Sequence, residues 1–239
     1  MSRPPGVAAL VLAAGQGVRL GSGRPKAFVL LAGRSLLERS IRILVEADVF
    51  EWIQPVVPAE ELDRFGRLPV SSPPLPGLAP AVAGGAERQD SMRAGLECLP
   101  PEIEWVAIHD AARCLVSAED IRRVVETARA SGAAILARRS PDTLKKVVGG
   151  RVLETPARES MWAAQTPQVI RRDWLVEGLE SAERAGRRAT DDAQLVEWMG
   201  REVHVVEARR PNPKVTLPED LRAAEALLSD ATGAGGDAE

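Results

Sequence analysis

Histidine and cysteine are scarce in this chain of 239 residues, and their scarcity excludes several chemistries. The two histidines, His109 and His204, are too few for an imidazole-based nucleophilic triad to be expected. His109 has no cysteine or histidine beside it and reads as structural rather than as a ligand. Cys98 and Cys114 are the only cysteines and lack metal-ligand spacing, which fits a reducing cytosol and no disulfide framework. No apolar run approaches the roughly 18 residues of a membrane-spanning helix, and the opening MSRPPG is too polar and short for a signal peptide. Charge of neither sign dominates: 31 Lys and Arg stand against 34 Asp and Glu, interspersed, for a net −3. Neither a nucleic-acid footprint nor a membrane-surface patch follows from that balance. A cytoplasmic, soluble protein with no nucleic-acid or membrane partner is the expectation.

What is present suits an α/β domain. The 45% hydrophobic content is enough for a full core. Strand-like runs alternate with helical patterns, so βα units on a mainly parallel sheet are expected. A buried strand is read over residues 7–14. The capping-box spacing Ser35-Leu-Leu-Glu38 opens a helix to about residue 47. Strands follow at 52–57 and, after a Pro/Gly-rich surface stretch at 66–80, at 81–83. Asp90 is read as the cap of a helix ending near 99, and WVAIHD as the next strand. Ser117 starts a helix to about 131, and 133–137 is a short strand. Then Gly149-Gly150 joins two strand-like runs, the signature of a two-residue hairpin. Lys145, Lys146, Arg151 and Glu154 would keep it wet, so an arm over about 139–158 should project from the sheet. Helices are read at 173–185 and 191–199, a strand at 203–206 and a last helix at 218–228. One domain is therefore expected over 1–228, with a disordered tail over 229–239.

Three glycine- or charge-bearing loops follow strands. The first, in LVLAAGQGVRLGSGRPKAF, fails both familiar phosphate fingerprints. A dinucleotide motif needs glycine where Leu20 stands, and a P-loop needs Ser or Thr after a lysine that follows glycine, whereas Lys26 lies between Pro25 and Ala27. A backbone cradle carrying two cations, Arg19 and Lys26, remains; the alternative is a surface turn with solvated charges. In GGAERQDS, Gly84 and Gly85 permit close backbone approach and Ser91 could donate to a base or phosphate, or be part of a plain glycine turn and helix cap. In IHDAARC, Asp110 could orient a hydroxyl or a metal and Arg113 clamp a phosphate, unless the two simply pair. Outside these loops, Arg158 could reach a second anion, and Thr190 is a polar group or an N-cap. Lys214 sits in an extended, Pro-restricted segment that can aim it into a cleft.

LAAGQGVRLGSGRPKAF, GGAERQDSM, IHDAAR, RESMWAAQTPQ, TDDAQLVE and NPKVTLPEDL occur in an order and spacing that resembles the 2-C-methyl-D-erythritol 4-phosphate cytidylyltransferases of the non-mevalonate isoprenoid pathway. The likeness extends from about residue 7 to 228. It implies a Rossmann-like nucleotidyltransferase fold and a homodimer joined by the hairpin arm. It also implies CTP and methylerythritol phosphate as substrates, and Mg²⁺ held mainly through the CTP phosphates, with no side chain assigned as metal ligand. Carried onto this chain, Ala13, Ala14, Gly15 and Gly17 would cradle the nucleotide, with Gly85, Arg88 and Ser91 on its cytidine side. Arg19 and Lys26 would stabilise the transition state on the triphosphate. Asp110, Arg113, Thr143 and Thr190 would meet the acceptor, with Arg113, Arg158 and Lys214 on its phosphate. Cys114 departs from the proline that commonly follows HDAAR. The implied reaction is attack by a phosphate monoester oxygen on the α-phosphorus of CTP, which needs no general base. Another polyol or sugar phosphate, such as ribitol 5-phosphate, is the alternative acceptor. Leu20 argues against a nicotinamide-dependent dehydrogenase. A non-catalytic nucleotide sensor would bind CTP without releasing pyrophosphate.

Overall fold

Strand β1 (Gly6–Leu12) owes its central position to five successive apolar residues, 7–11, all fully buried. A run that is apolar on both faces suits a strand covered by helices on either side. The structure is a computed structural model and describes residues 6–15, 25–71 and 74–233. The elements that follow are β2 (Leu30–Leu31), β3 (Arg34–Ser35), α1 (Leu36–Ala47), β4 (Trp52–Val57), α2 (Leu62–Gly66) and β5 (Val82–Ala83). Next come α3 (Arg88–Glu97), β6 (Ile103–Asp110), α4 (Ala118–Ser131) and β7 (Ala133–Arg139). The arm strands β8 (Lys146–Val148) and β9 (Arg151–Glu154) precede β10 (Trp162–Arg171). The chain closes with α5 (Arg172–Arg184), α6 (Ala193–Glu197), β11 (His204–Glu207) and α7 (Pro218–Gly233).

Among the described residues the main sheet has seven strands in the order β11-β7-β10-β6-β1-β4-β5. β10 runs antiparallel to both neighbours, and every other pairing is parallel. Alternation along β1 sorts the core into two layers. Val7, Ala9 and Val11 pack with Leu37, Ile41 and Leu44 of α1 and Ile121 and Val124 of α4. Ala8 and Leu10 face Met92 of α3, Leu175 and Leu179 of α5 and Leu195 of α6. Each fully buried leucine of this kind contributes about 2 kcal/mol relative to exposure. The main chain of β1 is followed on one side by β4 and β5 and on the other by β6, so the strand order reverses between β1 and β6. In open α/β sheets that reversal opens a crevice at the carboxyl ends of the strands.

Several boundaries differ from expectation for local reasons. α1 begins as anticipated, with Ser35 Oγ accepting from the Glu38 N–H at 3.1 Å. α3 is capped by Glu87, not Asp90, which sits at the third helical position and accepts from the Glu87 N–H at 3.0 Å. α6 is shorter than the 191–199 helix expected, because the Asp192 and Ala193 N–H groups both donate to Gln168 Oε1 instead of entering a regular helix start. At its other end Gly200 turns the chain with φ +71°. The last helix continues through Gly233, so 229–233 are helical rather than part of a disordered tail. Within it the Ser229 hydroxyl donates to the Glu225 carbonyl at 3.0 Å. Residues 234–239 lie outside the described residues.

The arm forms the anticipated hairpin, with Gly149 and Gly150 at φ +56° and +76°, values suited to a tight turn that matches strand twist. Its polar residues behave as expected: Lys145 Nζ donates to Thr155 Oγ1 at 2.9 Å, and Lys146 pairs with Glu154 at 3.8 Å. Its apolar residues are open as well. Val147, Val148, Val152 and Leu153 stand more than half exposed.

Candidate active site

The ends of β1, β5 and β6 meet at one pocket of about 200 Å³, lined by Ala13, Ala14, Gly15, Lys26, Gly85, Arg88, Ser91, Asp110 and Lys214 among others. Main-chain bonds hold its walls: the Ala13 N–H donates to the Val56 carbonyl, the Gly84 N–H to Val57 and the Ala111 N–H to Leu12. The glycines are dictated by protein neighbours. A Cβ on Gly84 would stand 2.4 Å from the Ala14 Cβ, and one on Gly85 would stand 2.3 Å from the Asp90 Cβ. The first and second loops therefore touch only because residue 84 has no side chain. Lys26 opens a single 3₁₀ turn whose next two residues, Ala27 and Phe28, are buried; Arg64 covers the Phe28 ring at 4.9 Å. That burial fixes the backbone from which Lys26 enters the pocket. Gly17 and Arg19 lie outside the described residues.

Charge at the pocket is organised around Asp110. Lys214 Nζ donates to its Oδ2 at 2.6 Å, and Arg88 Nη2 to its Oδ1 at 3.3 Å. Burial alone would raise the Asp110 pKa, but Arg88 and Lys214 outweigh it and hold the carboxyl well below the usual range. Arg88 also grips Asp192 through both terminal nitrogens, the Nη2–Oδ2 bond being 2.8 Å. Desolvation would lower the Arg88 pKa, yet the Asp192 and Asp110 carboxylates hold it above its ordinary value. Burial pushes Asp192 upward, against the Arg88 guanidinium that favours its ionised form. Lys214 reaches this cluster because Val215 is buried and its N–H donates to the Ala112 carbonyl at 2.9 Å. The extended segment thus aims its lysine as its prolines suggest.

Other sequence candidates fall elsewhere. Ser91 lines the pocket, but its hydroxyl accepts from the Gly85 N–H at 3.2 Å and donates to the Glu87 carbonyl at 3.1 Å, bonds that close its own loop. Arg113 does not pair with Asp110. It donates to the Asn212 carbonyl at 2.9 Å and the Ala164 carbonyl at 3.3 Å, tying three segments together. Burial lowers its pKa. Thr143 and Arg158 are exposed at the two feet of the arm and do not line the pocket of their own chain. Thr190 is exposed and is not the cap of α6; that position is Asp192, which makes no side-chain capping bond, while Asp191 Oδ1 accepts from the Gln194 N–H at 3.1 Å. Cys114 is buried with Leu31, Leu36 and Val215, and burial pushes its thiol up to about 11, so it acts as a small apolar residue. His109 is fully buried, with Nδ1 3.1 Å from Thr166 Oγ1 and Nε2 unpartnered among the described residues.

Sequence reasoning missed Thr166, Gln168 and Asp192. Thr166 Oγ1 accepts from the Asp110 N–H at 3.0 Å, and Gln168 anchors the turn that carries Asp192. The paired acids of TDDA were visible, but nothing in sequence distinguishes the inward Asp192 from Asp191. A larger depression of about 1030 Å³ lies at the opposite end of the strands, where β6 begins and β10 ends, beside Ile103, Trp105 and Arg171. Its cations have local partners: Arg171 pairs with Asp173 at 2.5 Å, and Arg172 donates to the Pro100 and Leu99 carbonyls. No carboxyl end of a parallel strand opens into it.

Two glycine-permitted loops, a crevice at the strand-order reversal and cations converging on it define a nucleotide-binding α/β protein of the Rossmann-like class. Comparison with known proteins narrows the class. Residues 7–230 match the family IspD, 2-C-methyl-D-erythritol 4-phosphate cytidylyltransferase, and the chain belongs to that family. It is 39% identical over 221 residues to the 2-C-methyl-D-erythritol 4-phosphate cytidylyltransferase of Halalkalibacterium halodurans, covering 92% of this chain and 96% of that protein. Among solved structures, the enzyme of that name from Thermus thermophilus superposes with a TM-score of 0.76 at 34% identity, covering 94% and 99% of the two chains. The 4-diphosphocytidyl-2C-methyl-D-erythritol synthase of Anaerococcus prevotii gives a TM-score of 0.84 at 28% identity, covering 94% and 98%. The main sheet therefore has the nucleotidyltransferase fold of these enzymes. Among the described residues no helix is long and apolar enough to cross a membrane.

Proposed function

We infer that the chain transfers a cytidylyl group from CTP to 2-C-methyl-D-erythritol 4-phosphate, releasing pyrophosphate. The observation that carries this is the convergence of Ala14, Gly15, Lys26, Gly85, Arg88 and Lys214 on one pocket in a chain of the IspD family. In the reaction an acceptor phosphate oxygen forms a bond to the α-phosphorus while the bond from that phosphorus to the bridging oxygen breaks. A phosphate monoester is already ionised near neutral pH, so no side chain has to remove a proton. The task is electrostatic: two polyanions must be brought together and the charge growing on the leaving pyrophosphate stabilised.

Lys26 and Arg19 are assigned to the triphosphate, and Ala13, Ala14, Gly15 and Gly17 to its cradle. Gly85, Arg88 and Ser91 serve the cytidine side. Lys214 and Arg158 are assigned to the acceptor phosphate, with Asp110, Arg113, Thr143 and Thr190 toward the acceptor. Lys214 leaves Asp110 for the phosphate, which brings a stronger negative charge. No convergent set of three His, Cys, Asp or Glu ligands exists among the described residues. Asp110 offers a hard oxygen donor beside the nucleotide, which suits a magnesium ion bound chiefly by substrate phosphates. That ion would neutralise phosphate charge.

The arm supports a homodimer. An isolated two-stranded hairpin is marginal in water, and this one exposes Val147, Val148, Val152 and Leu153. A second copy would cover them and bring a partner's Thr143 and Arg158 toward the pocket that lacks them. Cytoplasmic placement accords with reduced cysteines. The test is pyrophosphate release with CTP, Mg²⁺ and methylerythritol phosphate, with ribitol 5-phosphate in a parallel reaction. Turnover with the first acceptor supports the assignment; turnover only with the second transfers it to another acceptor. Binding of CTP without release would leave a nucleotide sensor.

A further inference from the structure

We propose that Asp192 is a positioning residue that aims the Arg88 guanidinium across the pocket, and that Gln168 holds Asp192 in place from the central sheet. The inference rests on the nucleotide reading of the pocket and adds a specificity-determining residue to it. Arg88 stands in the first turn of α3 with its side chain 30% exposed, whereas Asp192 is 1% exposed. A carboxylate so buried is costly unless a cation meets it with good geometry. Both terminal nitrogens of Arg88 meet its two oxygens, an arrangement that fixes the plane of the guanidinium as well as its distance. One of those nitrogens reaches on to Asp110.

The carboxylate is itself held. Gln168 Oε1 accepts from the Asp192 N–H at 3.0 Å and the Ala193 N–H at 2.8 Å, while its Nε2 donates to Asp191 Oδ2 at 2.9 Å. Gln168 belongs to β10, in register with Ile108 of β6, two residues before Asp110. The sheet thus locates both carboxylates that receive Arg88. Arg88 is therefore held by protein carboxylates through both terminal nitrogens while it lines the pocket, where a nucleobase or its sugar would lie. Its orientation precedes ligand binding, and preorganised donors are the ones that discriminate between ligands.

The bland alternative is a staple joining α3 to α6, which would affect melting but not nucleotide recognition. A double-mutant cycle separates them, using Arg88→Ala, Asp192→Asn and the combined variant in the pyrophosphate-release assay. Each single change should raise the KM for CTP about tenfold, as for loss of one charge-assisted hydrogen bond, and leave the acceptor KM near wild type. The combined variant should be no worse than Arg88→Ala alone, because Asp192 acts only through Arg88. An unchanged CTP KM in folded Asp192→Asn, or effects that multiply in the combined variant, would overturn the proposal. Should Asp192→Asn not fold, Arg88→Lys takes its place: it keeps the charge but cannot grip two oxygens, and an unaltered CTP KM there also overturns it. Wild-type protein that does not turn over CTP would instead sink the nucleotide reading and this proposal with it.

Discussion

Replacing His109 with glutamine should abolish a loss of stability that the parent chain undergoes as pH falls from about 6.5 to about 4. His109 is fully buried on β6, with one ring nitrogen on the Thr166 hydroxyl and the other unpartnered among the described residues. Burial drives its pKa from 6.5 down to about 4, against the pull of Asp110. Above pH 6.5 the ring is neutral in folded and unfolded chains alike and contributes no pH dependence. Below 6.5 the unfolded chain takes up a proton that the folded chain refuses until about pH 4. The folded state is therefore progressively disfavoured across that window, and the loss levels off below it. A displacement of this size corresponds to about 3 kcal/mol in full, most of it lost by about pH 4.5. Urea unfolding followed by tryptophan fluorescence, in steps from pH 7.5 to 4.5, measures it. All other ionisable groups are common to the two proteins, so the difference between parent and His109→Gln isolates the buried ring. Glutamine can still reach Thr166, which limits the baseline cost. Stability curves that stay parallel between pH 7.5 and 4.5 would show that His109 is protonated as easily inside the protein as outside it.

Other expectations concern the pocket and arm. Lys26→Ala should lower kcat by about 10²–10³-fold with unchanged melting, the usual cost of one lost preorganised charge stabiliser; near-normal turnover would return Lys26 to the solvated surface. Lys214→Ala and Arg158→Ala should raise the acceptor KM while calorimetric CTP binding stays close to the parent value, and loss of CTP affinity in both would refute the division of basic residues. Lys26→Ala and Thr143→Ala chains should each be impaired as homodimers, yet regain activity after subunit exchange, because one of the two mixed sites receives an intact loop and an intact arm. Differently tagged chains verify exchange; confirmed mixed dimers without recovered activity would place Thr143 outside the partner's site.

Where sequence signals are local, they located the elements well. The apolar run of β1, the Ser35 and Ser117 caps and the Gly149-Gly150 turn each carry their instruction within a few residues. No strand is read from the sequence where β10 lies. Its middle, Gln165-Thr166-Pro167-Gln168, is polar and proline-broken yet buried, with Thr166 and Gln168 bonded to groups around Asp110 and Asp192. Side-chain wiring displaced the apolar pattern by which strands are recognised. The same limit explains Arg88 and Arg113. Sequence proximity suggested Asp110 as a partner for Arg113, three residues away. The fold instead gives Asp110 to Arg88 and Lys214, 22 and 104 residues distant. Partners at such separations are chosen by topology, and no local pattern records them.

The reversed direction of β10 has an architectural consequence. β7 ends and β10 begins at the same rim of the sheet, side by side: Arg139 is in register with Trp162, and the Arg139 guanidinium lies 4.3 Å from the Trp162 ring centre. Everything between them leaves and re-enters through one doorway on the ligand rim, fastened by that stacked pair. A parallel strand in this place would have forced the excursion to cross to the far rim and back. The intervening segment is therefore a cassette: it can be lengthened, shortened or exchanged without shifting the register of any core strand. Its re-entry point leads along one continuous strand to Thr166 and Gln168. Tension applied to the tip would be delivered along that strand to the bonds that hold Asp110 and Asp192.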